Sequence, residues 1–218
     1  MKKLLYLTAA FLVFTFSASS QDKFTEAMKK QLAAFDTTSK PEAFSALGNS
    51  FQRIGDVEKT QWLPYYYAAL SKLMSGLIIN QTDPSQSDVY ADQAEEFYNK
   101  AKALTTENSE LHCLGKILAT LRMLGDPQNR YMQYSGIAAE HLQKARALDP
   151  TNPRPDYLEA QDLYYTPEQF GGDKKKAVEM LKTALVKFEA FKPASPIHPY
   201  WGKQQVQTML TQVDGAGK

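Results

Sequence analysis

The sequence predicts an all-α fold, a superhelix of helical hairpins with irregular repeats and inserted loops. Three observations predict it. Almost no stretch alternates apolar and polar residues, so little strand is expected. Several runs carry the helical period; in DKFTEAMKKQLAAF, Phe24, Met28, Leu32 and Phe35 fall on one stripe. Three further runs, AEEFYNKAKAL, AAEHLQKARALDP and AVEMLKTALVKF, share one spacing: an alanine, a large side chain four residues on, and a second alanine seven residues on.

The chain begins with Lys2 and Lys3, an uncharged apolar run from Leu4 to Phe16, and the small residues Ser17-Ala18-Ser19-Ser20. That is the layout of a secretory signal peptide. The apolar run is short for a permanent membrane span. Ala18 and Ser20 suit cleavage before Gln21, which predicts a periplasmic or secreted protein with no stable span afterwards. Cleavage would leave 23 basic against 24 acidic residues, so neither form carries a field that draws nucleic acid or an acidic membrane. The domain organisation read from this is a signal peptide at 1–20, one helical domain at 21–212, and a flexible tail at 213–218.

After the first stripe, Ser39 and Glu42 have the spacing of a capping box, and the next helix is expected to stop near Ile54 with Gly55 beyond it. Asp56 can cap a short run, and Pro64 starts or kinks the helix YYYAALSKLMSGLI. The polar stretch NQTDPSQSD breaks the chain. Further helices are expected near 88–104, 108–124, 136–148, 154–165, 173–191 and 199–212. Pro193, Pro196 and Pro199 form an extended lead into a last capping helix around Trp201.

The alanine triples are Ala94-Tyr98-Ala101, Ala138-Leu142-Ala145 and Ala177-Leu181-Ala184. This is the pattern of the second helix of a tetratricopeptide repeat. Alanines let two helices approach, and the large residue between them fills the gap, so Ala145 should sit at a tight contact. Phe44-Leu47-Gly48-Phe51 fits the first-helix pattern, Leu111-Leu114-Gly115 fits in part, and Tyr157-Ala160-Leu163 is looser. The triples recur after 44 and 39 residues, longer than the usual ~34, which places insertions at NQTDPSQSD, GDPQNRYMQYS and TPEQFGGD.

The stretch FQRIGDVEKTQWLPYYYAAL, then GDPQNRYMQYS, then NPRPDYLEAQDLYYTPEQFGGDKKKA, then FKPASPIHPYWGK occur in this order and span most of 40–205. In this ordered set the chain resembles secreted tetratricopeptide-repeat proteins of Gram-negative bacteria. The resemblance implies an all-α repeat domain in the periplasm or exported, without known catalysis.

Few residues in the sequence carry a recognisable chemical motif. The run FGGDKKKA lacks the strand and the Gly-Lys-Ser/Thr of a phosphate loop; Thr166, Pro167 and Gln169 instead suit a capped turn, with Gly171 and Gly172 ending it and Asp173 capping the next helix. His112, His141 and His198 have no helical metal spacing, and no HExxH or GxSxG occurs. Cys113 is the only cysteine and lies in an apolar run, an inert thiol with no disulfide partner. No catalytic residue, metal site or cofactor is therefore expected.

The aromatic residues are more informative. Trp62, Tyr65, Tyr66 and Tyr67 lie on one helix, and three consecutive tyrosines point about 100° apart, so at least one should line a groove or an inter-helix seam. Tyr131 and Tyr134 fall in a predicted inserted loop, and Tyr164 precedes another. With Arg122, Asn129 and Arg130 they make a candidate binding surface, since Tyr brings large area with a polar handle. The reading is a non-catalytic interaction module that binds a protein or peptide. The alternative is a small-molecule (solute) binding protein accessory to transport; a hydrolase using a carboxylate pair is a third reading.

Overall fold

The structure, a computed structural model, describes residues 21–216. The predicted signal peptide lies outside the described residues. Among those residues every regular element is helical. The helices are α1 (21–37), α2 (Pro41–Glu58), α3 (Leu63–Asn80), α4 (Ser87–Ala103), α5 (Ser109–Gly125), α6 (Pro127–Leu148), α7 (Arg154–Tyr165), α8 (Lys174–Ala190) and α9 (Lys203–Ala216). Two short 3₁₀ turns lie at Pro84–Gln86 and Glu168–Phe170.

All nine positions of the alanine triples are buried, on α4, α6 and α8. Their partner helices are α3, α5 and α7, each joined to the triple-bearing helix that follows it. Gly115 shows how close the approach is. A Cβ built there would lie 2.4 Å from the His141 ring, so α5 meets α6 through bare backbone. Ala145 has no exposed surface, as its place in the triple predicts.

Several local expectations change. Gly55 does not end α2, which runs on to Glu58 and closes with Lys59 at φ 55°. Gly55 is inside because the Tyr65 ring lies against it, where a Cβ would approach to 2.8 Å. The box of Ser39 and Glu42 does not form; Lys40 takes the cap position with no side-chain bond, and Pro41 supplies the preset φ of the first turn. Thr166 likewise caps nothing, because Pro167 occupies that position, whereas Asp173 accepts from the Lys176 amide as expected.

The largest correction concerns GDPQNRYMQYS, predicted as a loop. It is the first half of α6. Asp126 accepts from the Asn129 amide and Pro127 stands at the first position, a cap and a start that outweigh the polarity of the run. At the other end, α9 begins at Lys203, not 199, because Gly202 at φ 113° turns the chain just before it. The helix continues through 216, where a flexible tail from 213 was expected.

Helix α3 is the central element. It is flanked by α2 and α4 and also touches α5. A helix enclosed in this way buries residues all round, which explains why Tyr65, Tyr66 and Tyr67 are all buried and none is left to line an open groove.

Candidate functional site

A cavity of about 550 Å³ lies where the two ends of the described chain meet. Its apolar wall is Phe35 of α1, Phe44 of α2, Leu70 and Met74 of α3, and Trp201. Its polar rim is Asp36, Thr38, Tyr200, and Lys203, Gln204, Gln205 and Gln207 of α9. Each side arrives for a local reason. The stripe of α1 ends on Phe35, which meets Phe44 edge-to-face at 5.2 Å. Leu70 and Met74 are one turn apart on α3. The Pro-rich segment before α9 delivers Tyr200 and Trp201 without helical constraint.

Two hydrogen bonds close this junction. Tyr200 donates to Asp36 Oδ2 at 2.7 Å across 164 residues of sequence. Burial and this carboxylate together raise the Tyr200 pKa, so the phenol keeps its proton. Trp201 Nε1 donates to Tyr66 Oη at 2.8 Å.

Behind Trp201 lies a buried polar cluster. Tyr66 Oη donates to Glu110 Oε2 at 3.2 Å. Glu110 Oε1 accepts from Arg154 Nη1 and from Asn152 Nδ2, both at 2.8 Å. Arg154 has no exposed surface, and its guanidinium lies 5.1 Å from the Trp201 ring centroid, 5.0 Å from Phe191 and 5.9 Å from Phe188. Burial raises the Glu110 pKa, and the charge of Arg154 opposes that shift.

A second pocket, about 300 Å³, lies among α4, α5 and α6 and is lined by Tyr98, Lys102, Glu107, Leu111, His112, His141 and Lys144. His112 and His141 meet Nδ1 to Nδ1 at 2.9 Å, and Glu107 meets His112 Nε2 at 2.7 Å. A contact between two imidazole nitrogens holds one proton. Burial, then the neighbouring His112, lowers the His141 pKa to about 4. Among the described residues no three His, Cys, Asp or Glu side chains are grouped so as to hold a metal ion. A third depression, about 210 Å³, runs between α5, α6 and α7 and includes Tyr131, Leu142, Arg146 and Glu159.

The residues singled out from sequence do not form one site. Trp62 is half-buried and meets Tyr66 edge-to-face at 5.6 Å. Tyr65 donates to Asp56 at 2.8 Å, and burial with that bond pushes its pKa up to about 12. Arg122 pairs with Asp92 at 2.7 Å and Glu95 at 2.6 Å, and Arg130 makes two bonds to Asp88 at 2.7 and 2.8 Å. These arginines clamp α4 to α5 and α6, so their charge is already matched. Asn129 is turned back on the cap, bonding Asp126 Oδ2 at 2.8 Å. Tyr131 and Tyr134 stand on α6, not on a loop; Tyr131 donates to the Phe170 carbonyl at 3.2 Å, and Tyr134 is half-buried. Tyr164 meets Tyr165 edge-to-face, with Lys174 over its ring.

None of these nine residues lines the 550 Å³ cavity, although Tyr66 holds one of its walls. Sequence reasoning missed Asp36, Met74, Tyr200 and Lys203 as site residues. The available signal was the run Pro199-Tyr200-Trp201-Gly202, two adjacent aromatics released from helical geometry by a proline and a glycine.

No protein-family model matches the chain, and neither does any curated protein sequence. Among solved structures, the HusA haemophore from Porphyromonas gingivalis matches with a TM-score of 0.77 and 32% identity, over 89% of this chain and 94% of its own. With that identity across nearly all of both chains, the protein belongs to the family of the HusA haemophore.

Proposed function

We propose that the protein is a haem carrier, binding haem or a closely similar flat macrocycle in the cavity between α1, α3 and α9 without acting on it chemically. The cavity's two-sided lining carries this reading. Haem has a broad apolar ring and two propionates. Phe35, Phe44, Leu70, Met74 and Trp201 suit the ring, and Lys203 with the glutamine amides suits the propionates. The volume of about 550 Å³ falls in the ordinary range for small-ligand sites, roughly 300–1,000 Å³. Met74 and Tyr200 are lining residues of types that can ligate haem iron, and the Tyr200 hydroxyl is already engaged by Asp36.

Kinship with a haemophore favours the solute-binding reading over the protein- or peptide-binding module. It also supports a place outside the cytoplasm, in keeping with the predicted signal peptide. Within this proposal the helix pairs are irregular tetratricopeptide-type hairpins. The buried alanine triples and the bare contact at Gly115 support that architecture.

Haem titrated into the purified protein should give a saturable Soret change at one haem per chain, and the melting temperature should rise with haem concentration. Lys203→Glu should weaken binding by about fivefold to tenfold, since it places a like charge beside a propionate. Unsaturable binding, or Met74→Trp binding as tightly as the wild type, would remove the cavity from the reading.

A further inference from the structure

We propose that Tyr66 is a positioning residue for the ligand. Backed by Glu110 and Arg154, it fixes the Trp201 indole as a wall of the cavity. This rests on the haem-carrier reading.

Trp201 needs a device to hold it. It follows a segment without regular secondary structure and precedes Gly202. Its ring is half-buried, with one part of its surface on the cavity. A free indole there would sample several rotamers, and a ligand would have to order it on binding. Two contacts remove that freedom. The N–H is held by Tyr66 at 2.8 Å, and the ring has a cation 5.1 Å from its centroid.

Tyr66 can serve because its own position is over-determined. It has no exposed surface, it lies edge-to-face with Tyr67 at 5.2 Å, and its hydroxyl is committed on both sides. It accepts from Trp201 and donates to Glu110. Glu110 is anchored by Asn152 and Arg154. The chain of bonds crosses α3, α5, the start of α7 and the segment before α9.

As pure stabilisation, the cluster is an expensive choice. Arg154 is buried completely, and its Nε and Nη2 have no protein acceptor. Buried ion pairs commonly stabilise no more than apolar side chains of equal volume. What the cluster does supply is geometry. Three aromatic rings cover the guanidinium, one of them the ring that faces the cavity.

The test uses Tyr66→Phe, which keeps the ring and removes only the hydroxyl, together with Trp201→Phe and the double variant. Haem affinity is measured well below the melting temperature, and the melting temperature is measured in parallel. Each single variant should weaken haem binding by about fivefold to tenfold, and the double should be no weaker than the poorer single, because both break one unit. Tyr66→Phe binding haem within about twofold of the wild type, or losses that multiply in the double variant, would overturn the inference while leaving the haem-carrier reading intact. A wild-type protein without saturable haem binding removes both. A fall in melting temperature without loss of affinity would show Tyr66 to be a core residue only, which also overturns it.

Discussion

From α4 to α8 neighbouring helices meet through alanines and a bare glycine; where α1, α3 and α9 converge they meet through phenylalanine, tyrosine and tryptophan rings. Small side chains at offsets of seven let backbones close together, and the pockets left between these helices are smaller, about 300 and 210 Å³. Large rings brought in by unrelated segments cannot interdigitate so fully, and about 550 Å³ remains. Under the proposed function the stack concentrates stability, and the junction concentrates binding. Substitutions in the two regions should separate the two properties.

The largest effect is expected in the stack. Leu181 has no exposed surface and fills the space between Ala177 and Ala184 on α8. Leu181→Ala should destabilise by about 2–5 kcal/mol, since it removes buried methyl groups and leaves a hole that rigid neighbours cannot close. Denaturant unfolding measures this. Haem affinity at a temperature where the variant remains folded should stay near the wild-type value. A matching loss of affinity would mean that stack and junction are one unit, and the comparison would fail.

Gly115→Ala should follow. Helix propensity alone favours alanine by about 1 kcal/mol. The new methyl would meet the His141 ring, and overpacking of that kind costs about 1–3 kcal/mol, so steric conflict wins. Adding His141→Ala should restore part of the stability. Equal stability for Gly115→Ala and wild type would show that the ring shifts freely and that the contact between α5 and α6 is loose.

The stack was the legible region, and for a definite reason. Its signal is a period within single helices, so Ala138, Leu142 and Ala145 point to their shared face without knowledge of any partner. The cavity has no such signal. Asp36 and Tyr200 are 164 residues apart, and nothing local to either announces the other. Arg122 and Arg130 misled for the converse reason. As isolated cations they suggest a ligand, but Asp88, Asp92 and Glu95 on α4 already occupy them. The tyrosine triplet left a groove and an inter-helix seam both open, because periodicity shows how residues are spread around a helix and not how many neighbours surround it; burial on α3 decides for the seam.

Acid should loosen the stack. Burial and His112 hold the folded-state pKa of His141 at about 4, below the usual 6.5. Between these values the unfolded chain binds the proton that the folded one refuses. Stability should therefore be fully present above about pH 6.5 and decline as pH falls toward 4. The groups facing His141 are His112, Glu107, Glu140, Lys102 and Lys144. A second proton at the imidazole contact would set one N–H against another, while the two lysines add repulsion. Melting temperatures measured across this range should flatten in His141→Gln. An unchanged pH profile in that variant would assign the decline to other groups.

The smallest effect on stability, and the sharpest on function, is expected at Asp36→Ala. The bond from Tyr200 lies at an exposed rim, so its loss should cost only about 0.5–1 kcal/mol of folding stability. It is nevertheless one of the two hydrogen bonds that tie the segment before α9 to the rest of the junction. If that segment must part from α1 for haem to leave, losing the bond should speed release while the melting temperature hardly moves. Transfer of haem to excess apomyoglobin measures the release rate directly. Unchanged release would leave the contacts of Trp201 with Tyr66 and Arg154 as the fastening that matters. A large drop in melting temperature would be more damaging, because the chain ends would then carry stability that the comparison assigns to the alanine stack.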